Sequence, residues 1–153
     1  IGRLEHSYGE YLNSLIAKCD VQNLFEIKGF VDSHQEVYNM AAQSRVLVIP
    51  THFDCQPNSI REAMFMKLPV VATNVGGIPS LNTHKECLAI VPKEDVNLLA
   101  SAIKKVLENE PYANLLVENG YQEMIDYYSP DQVYQQLISA YLKVGELERE
   151  KKQ

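Results

Sequence analysis

Short apolar runs alternate with stretches of helical period along this chain, and the alternation predicts a fold class. Val46 to Ile49 is an unbroken run of β-branched residues and Leu closed by Pro50, the pattern of a strand buried on both faces. Val70 to Thr73 and Leu88 to Val91 read as further strands. So does Leu24 to Lys28, which ends at Gly29-Phe30, and Ile1-Gly2 reads as the end of an earlier strand. Helices are expected between them. Ser7 and Glu10 spell S-x-x-E, a capping box, before a helical stretch ending near Cys19. Ser33 and Glu36 repeat the signature and open a short helix through about Gln43. Another helix is expected from about Asn58 to Lys67, and Asn74 to Gly77 is a loop by its glycines. Pro92 and Asp95 start a helix whose apolar positions include Val96, Leu99, Ile103 and Leu107. Pro111 and Pro130 each suit the first turn of a further helix. Strands alternating with helices predict an α/β fold, a Rossmann-like parallel sheet flanked by helices.

The pattern is continuous enough for one domain over residues 1–145, followed by a charged tail at 146–153 expected to fray in water. A doubly wound domain normally begins with its own strand and helix, whereas this chain starts at the end of a strand. Further elements are therefore expected upstream.

Composition narrows the function classes. At 153 residues and 46% hydrophobic, the chain suits a soluble domain with a real core. Its longest apolar runs, Val46 to Ile49 and Leu68 to Ala72, are far too short to cross a bilayer, and no basic segment leads into an apolar one. A cytoplasmic protein without a transmembrane segment is expected. The net charge of −6 disfavours nucleic acid as the main partner. Cys19, Cys55 and Cys87 are odd in number and widely spaced, so reduced, buried or half-buried thiols are expected. The four histidines show no ligand spacing, and no metal site is expected.

Candidate chemistry concentrates in residues 46 to 77. Asp54 follows a strand, Glu62 is expected in the first turn of the helix starting near Asn58, and seven residues separate them. In an open parallel sheet the loops after the strands share one edge, where ligands bind. A carboxylate accepts two hydroxyl hydrogen bonds at once, which suits the adjacent hydroxyls of a ribose or hexose. Free N–H groups of Asn58, Ser59 and Ile60 can receive phosphate at the start of a helix. Gly76 and Gly77 permit close backbone approach or positive φ. Each residue also has a plainer use: Ser59 and Glu62 again spell a capping box, Asp54 suits an Asx-turn, and two glycines suit any turn.

The stretch PTHFDCQPNSIREAMFMKLPVVATNVGG resembles the signature of retaining family 4 glycosyltransferases with the GT-B fold: E-x7-E, Ala-Met, a Pro-Val-Val-Ala-Thr strand and a Gly-Gly loop. Gly29-Phe30-Val31, Tyr38 to Pro50 and Tyr128-Ser129-Pro130 are similar to further segments of that family. The resemblance implies the C-terminal, donor-binding domain of a GT-B enzyme, which moves a hexosyl group from a nucleoside-diphosphate sugar to an acceptor hydroxyl. It implies that Glu62 binds the ribose hydroxyls and Asp54 those of the transferred sugar. Asn58, Ser59 and Ile60 would offer amides to the diphosphate, and Gly76 and Gly77 would line the cleft. It implies no cofactor and no bound metal, since helix dipoles and basic groups stabilise the leaving diphosphate. The implied partners are a nucleotide-sugar donor, a saccharide or lipid-linked acceptor, and an N-terminal Rossmann-like domain that this sequence does not contain. The setting would be polysaccharide assembly, cytoplasmic and peripheral to the inner membrane face.

The chain also departs from the family. Asp54 stands where Glu is usual, with a reach shorter by about 1.5 Å. Ser80 replaces a frequent Glu and Lys67 a frequent Gly. The family's diphosphate-neutralising Arg and Lys lie upstream of this sequence. Arg3, in a Gly-Arg-Leu similar to one family motif, is not assigned their role. A non-catalytic binding or interaction domain on the same fold is the alternative. A phosphoacceptor domain built on Asp54 would need a further acidic cluster for Mg²⁺, and only Glu5 lies near such a place. A nucleotide-sugar epimerase of related fold is less compatible with the D-x7-E spacing by resemblance.

Overall fold

The computed structural model describes the backbone of residues 5–150 and the side chains of residues 5–145. The expected strand end at Ile1-Gly2, Arg3 and the last three tail residues lie outside these. The chain divides into two compact units, Ile1–Ala41 and Ala42–Gln153.

The first unit holds helix α1 (His6–Lys18) and all but the last residue of α2 (His34–Ala42). Helix α1 does not open on Ser7. Glu5, in extended conformation, takes the cap position, so Ser7 lies inside the helix and its hydroxyl donates to Glu5 Oε1 at 2.8 Å. Glu10 then sits one turn from His6 and pairs with it at 3.4 Å instead of closing a box. At α2 the signature is half used: Ser33 Oγ accepts from the Glu36 N–H at 3.3 Å. The strand expected at Leu24–Lys28 does not form. Gln22–Leu24 wind into a 3-10 turn, and 25–28 join no ladder among the described residues. Alternation makes a segment fit for a strand, but only a neighbour's N–H and C=O groups make it one.

The second unit carries the sheet. Strands β1 (Leu47–Ile49), β2 (Val70–Thr73) and β3 (Ala89–Val91) run parallel in the order β1-β2-β3. Leu47 is level with Val70, and Ala72 with Ile90. Helices α3 (Asn58–Phe65), α4 (Val96–Glu108), α5 (Glu110–Tyr128) and α6 (Pro130–Glu150) complete the unit. This is a Rossmann-like parallel sheet flanked by helices. Of the three strands β2 is buried throughout, β3 at Ala89 and Val91, and β1 is half-buried along its length. The expectation that Val46–Ile49 is covered on both faces is therefore corrected.

Val71 and Ala89 of the sheet, Val106 of α4 and Leu116 of α5 form one core cluster. Leu99, Ile103 and Leu107 turn inward as the helical period requires, but Val96 is 76% exposed, since it stands in the first turn beyond the packed face. Asp95 caps α4 by accepting from the Leu98 N–H at 2.9 Å, and Asn109 caps α5 through Tyr112 at 3.0 Å. Pro111 sits in the first turn of α5 and α6 starts at Pro130, where both prolines were expected. The backbone of α6 stays helical to Glu150. No described helix is long and apolar enough to cross a membrane.

Helix α3 ends two residues earlier than its pattern implies. Lys67 takes φ +57, its N–H bonds Met64 O at 3.1 Å, and the Leu68 N–H bonds Ala63 O at 2.9 Å. That is a Schellman stop, and the left-handed position explains why Gly is frequent there. Lys67 compensates with an ion pair to Glu118 at 3.4 Å and a seat over the Tyr121 ring at 4.5 Å.

Candidate functional site at the carboxyl edge of the sheet

Parallel strands bring the loops after β1, β2 and β3 to one edge, and polar bonds tie them there. The Thr73 hydroxyl, at the end of β2, donates to Thr51 O at 2.6 Å in the loop after β1. The Asn74 N–H donates to Val91 O at the end of β3 at 2.7 Å. His52 and Glu94, both exposed, meet at 3.3 Å between the first and third loops.

The tightest junction involves the two glycines. Gly76 has φ +51, and a Cβ there would fall well inside the 3.0 Å limit from the Asp54 carbonyl oxygen. A Cβ on Gly77 would strike the Cys55 carbonyl in the same way, and the Gly77 N–H donates to that carbonyl at 2.5 Å. The pair is thus no ordinary turn. It lets one backbone lie directly on the backbone that carries Asp54. Ser80 adds a side-chain strap, accepting from Gln56 Nε2 at 3.1 Å and donating to Gly77 O at 2.7 Å.

The residues singled out from the sequence lie on these loops and on α3, which follows the first of them. Asp54 is half-buried and its carboxylate has no hydrogen-bond or ionic partner among the described residues. No Asx-turn forms there. The exposed Glu62 is likewise unpaired among them, and it is the fifth residue of α3, in the second turn and not the first. Pro57 takes the cap position of α3 without any side-chain bond, so Ser59 and Glu62 form no capping box. The backbone N–H groups of Asn58 and Ser59 have no acceptor among the described residues. That of Ile60 is committed to Pro57 O at 3.2 Å, and the Ile60 side chain is fully buried in the core. The expected trio of amides thus narrows to two.

The structure therefore joins Asp54, Cys55, Gln56, Gly76, Gly77 and Ser80 by contact. Asn58 and Ser59 continue the same loop into α3, and Glu62 stands one helical turn beyond Asn58 on its exposed side. Sequence reasoning missed the Gln56–Ser80 strap, the His52–Glu94 pair and the Thr73 bond. Nothing in residue type or spacing marks such pairings across 20 or more positions.

Among the described residues no group of three or more His, Cys, Asp or Glu is placed to hold a metal ion. All three cysteines are free, but Cys19 and Cys55 are exposed, contrary to expectation; only Cys87 is buried. Burial, then the nearby Glu123 carboxylate, pushes the Cys87 thiol up to about 11.

Comparison with known proteins places this geometry. The model of the family described as glycosyl transferases group 1 matches residues 1–123. A 2-deoxystreptamine N-acetyl-D-glucosaminyltransferase from Niallia circulans is 28% identical over 132 residues, 86% of this chain and 34% of the relative. The capsular polysaccharide biosynthesis glycosyltransferase CapM of Staphylococcus aureus is 30% identical over 63% of this chain and 25% of its own length. Among solved structures, sucrose-phosphate synthase from Thermosynechococcus elongatus superposes with a TM-score of 0.78 at 23% identity, over 95% of this chain and 36% of that one. Anabaena HepE in complex with UDP-glucose gives 0.78 at 20% identity, over 91% and 38%. These likenesses identify the fold as the C-terminal Rossmann-like domain of GT-B glycosyltransferases. The chain spans between 20% and 34% of the length of the curated relatives it matches. With four-fifths of its residues matched by the family model, the chain belongs to the group 1 glycosyl transferases.

Proposed function

We propose that this chain is the donor-binding part of a retaining, family 4 glycosyltransferase that moves a hexosyl group from a nucleoside-diphosphate sugar to an acceptor hydroxyl. The observation that carries this reading is the seating of Gly76 and Gly77 on the Asp54–Cys55 backbone, where the Asp54 carboxylate has no partner among the described residues. Close-packed backbone leaves room for a ligand to lie along the edge, and unpaired acceptors suit its hydroxyls.

In this reading Glu62 holds the ribose 2′- and 3′-hydroxyls and Asp54 holds hydroxyls of the transferred sugar. The N–H groups of Asn58 and Ser59, at the positive end of α3, receive diphosphate oxygens. The bond from the anomeric carbon to the diphosphate oxygen breaks as the acceptor oxygen bonds to the same face, through an oxocarbenium-like state, and the acceptor's proton passes to the departing phosphate. Fixed dipoles and basic groups stabilise the departing phosphate, without a bound metal or other cofactor. A saccharide or lipid-linked acceptor and an N-terminal Rossmann-like domain complete the cleft in the whole protein, in the cytoplasm or at the inner membrane face. Expected alone, the chain binds donor weakly and turns over nothing. UDP-glucose is the first donor to try, because HepE from Anabaena has been solved with it.

Two variants separate the assigned roles. Glu62→Ala should weaken UDP and UDP-glucose equally, by about tenfold for the loss of charged hydrogen bonds. Asp54→Ala should weaken UDP-glucose and leave UDP unchanged. Equal affinities for all three proteins would refute both assignments.

A further inference from the structure

Arg61 takes no part in the roles assigned so far. Its side chain is half-buried, and its Nη2 donates to Asn58 Oδ1 at 2.6 Å. The guanidinium carbon lies 5.7 Å from the centre of the Tyr128 ring, at the end of α5. No carboxylate pairs with it among the described residues. As an i, i+3 surface bond the contact adds little to helix stability.

Its consequence for Asn58 is larger. An asparagine amide has a donor end and an acceptor end, and rotation about χ2 exchanges them. Arg61 carries donors only, so it can hold only the oxygen. With Oδ1 taken, the Nδ2 end of Asn58 is turned away from Arg61. Asn58 is the exposed first residue of α3 and itself carries one of the two N–H groups that have no acceptor among the described residues. An unheld amide would present its oxygen for part of the time, and an oxygen repels an anionic ligand.

We propose that Arg61 is a positioning residue for the donor's diphosphate: by holding Asn58 Oδ1 it turns Asn58 Nδ2 outward as a third donor beside the Asn58 and Ser59 N–H groups. The inference rests on the donor-site reading above and deepens it. The group recognised is the anionic diphosphate, and neither the base nor the ribose is involved.

The test uses NMR titrations of the 153-residue chain with UDP and uridine, GDP and guanosine, and ADP and adenosine. It compares wild type, Arg61→Met, Arg61→Lys, Asn58→Ala and the double variant Arg61→Met with Asn58→Ala. Arg61→Met should weaken the diphosphate about five- to tenfold, the value of one hydrogen bond, and leave the matching nucleoside unchanged. Asn58→Ala should do the same, and the double variant should be no weaker than either single one. Arg61→Lys should restore most of the loss, since an ammonium also holds the oxygen.

Three results overturn the proposal while leaving the donor site standing. Unchanged diphosphate affinity in Arg61→Met makes the residue inert. Losses that multiply in the double variant mean that Arg61 touches phosphate itself. Parallel losses for nucleoside and diphosphate, with a lowered melting temperature, mean a merely structural role. Absence of any nucleotide binding by the folded wild type overturns the donor-site reading and this inference with it.

Discussion

Replacing Gly76 by Ala perturbs the junction between the two site loops and little else. Gly76 has φ +51, a region that costs an L-residue roughly 1 kcal/mol or more. Ala also stiffens the unfolded chain, which returns about 0.4–1 kcal/mol, so the two backbone effects nearly cancel. The steric effect remains. The new Cβ would lie more than an ångström inside the 3.0 Å limit from the Asp54 carbonyl oxygen, which is backbone and cannot swing aside. One loop must retreat, and the Gly77 N–H to Cys55 O bond and the Gln56–Ser80 strap stretch with it. Losing these amounts to about 2 kcal/mol, or a fall in melting temperature of roughly 4–8 °C for a domain of this size. Denaturation monitored by circular dichroism gives the stability term. Titration with UDP-glucose should show a further loss, since displacement by an ångström moves Asp54 out of register with the helix start. A variant that melts within a degree of wild type and binds UDP-glucose equally would refute the contact between the loops.

Other perturbations have expected outcomes of opposite sign or different place. Gly145→Ala meets open space in the middle of α6 and should stabilise the chain by about 0.5–1 kcal/mol, read as a raised denaturation midpoint. Asp95→Ala and Asn109→Ala each remove a helix cap and should each cost about 1 kcal/mol by the same assay. A maleimide should label Cys19 and Cys55 in the folded chain, and Cys87 only after denaturation. Burial holds the Cys87 thiol at about 11 against its ordinary 9.0, so the folded state keeps a proton that the unfolded state releases. The stability this represents is complete below pH 9 and disappears as pH rises to about 11. Cys87→Ala should flatten that part of the stability profile.

Legibility in the sequence followed the range of the cause. Strands β2 and β3 and helices α3 to α6 could be read because their causes are local: β-branched runs, prolines in first turns and apolar residues at helical period. Asp95 was readable as a cap for the same reason. Leu24 to Lys28 misled because a strand depends on a neighbour, and no property of Phe25 or Ile27 reveals whether one is there. The covering of β1 was misjudged because an apolar run shows that a strand can be buried, not that other elements cover both of its faces. Ser7 failed as a cap because Glu5, two residues earlier, already starts the helix. Lys67 is instructive in the other direction. Its departure from a frequent Gly looked like a family detail, whereas the structure gives the physical reason, a left-handed stop paired with Glu118 and Tyr121. At the site, the types of Asp54, Glu62, Gly76 and Gly77 could be read. The contact of Gly76 with Asp54, 22 positions away, and the commitment of the Ile60 N–H to Pro57 needed the fold.

The donor site itself is tested by following the amide spectrum of the whole chain during titration with UDP, GDP, ADP and their sugars, with Glu62→Ala as the control. Millimolar affinity is enough for this method. A donor-binding role predicts saturable shifts for one nucleotide, centred on residues 54–62 and 76–77 and needing about tenfold more ligand in Glu62→Ala. A folded spectrum that no nucleotide changes, or an affinity that Glu62→Ala leaves unaltered, would contradict it and point to a domain that serves interaction with other partners.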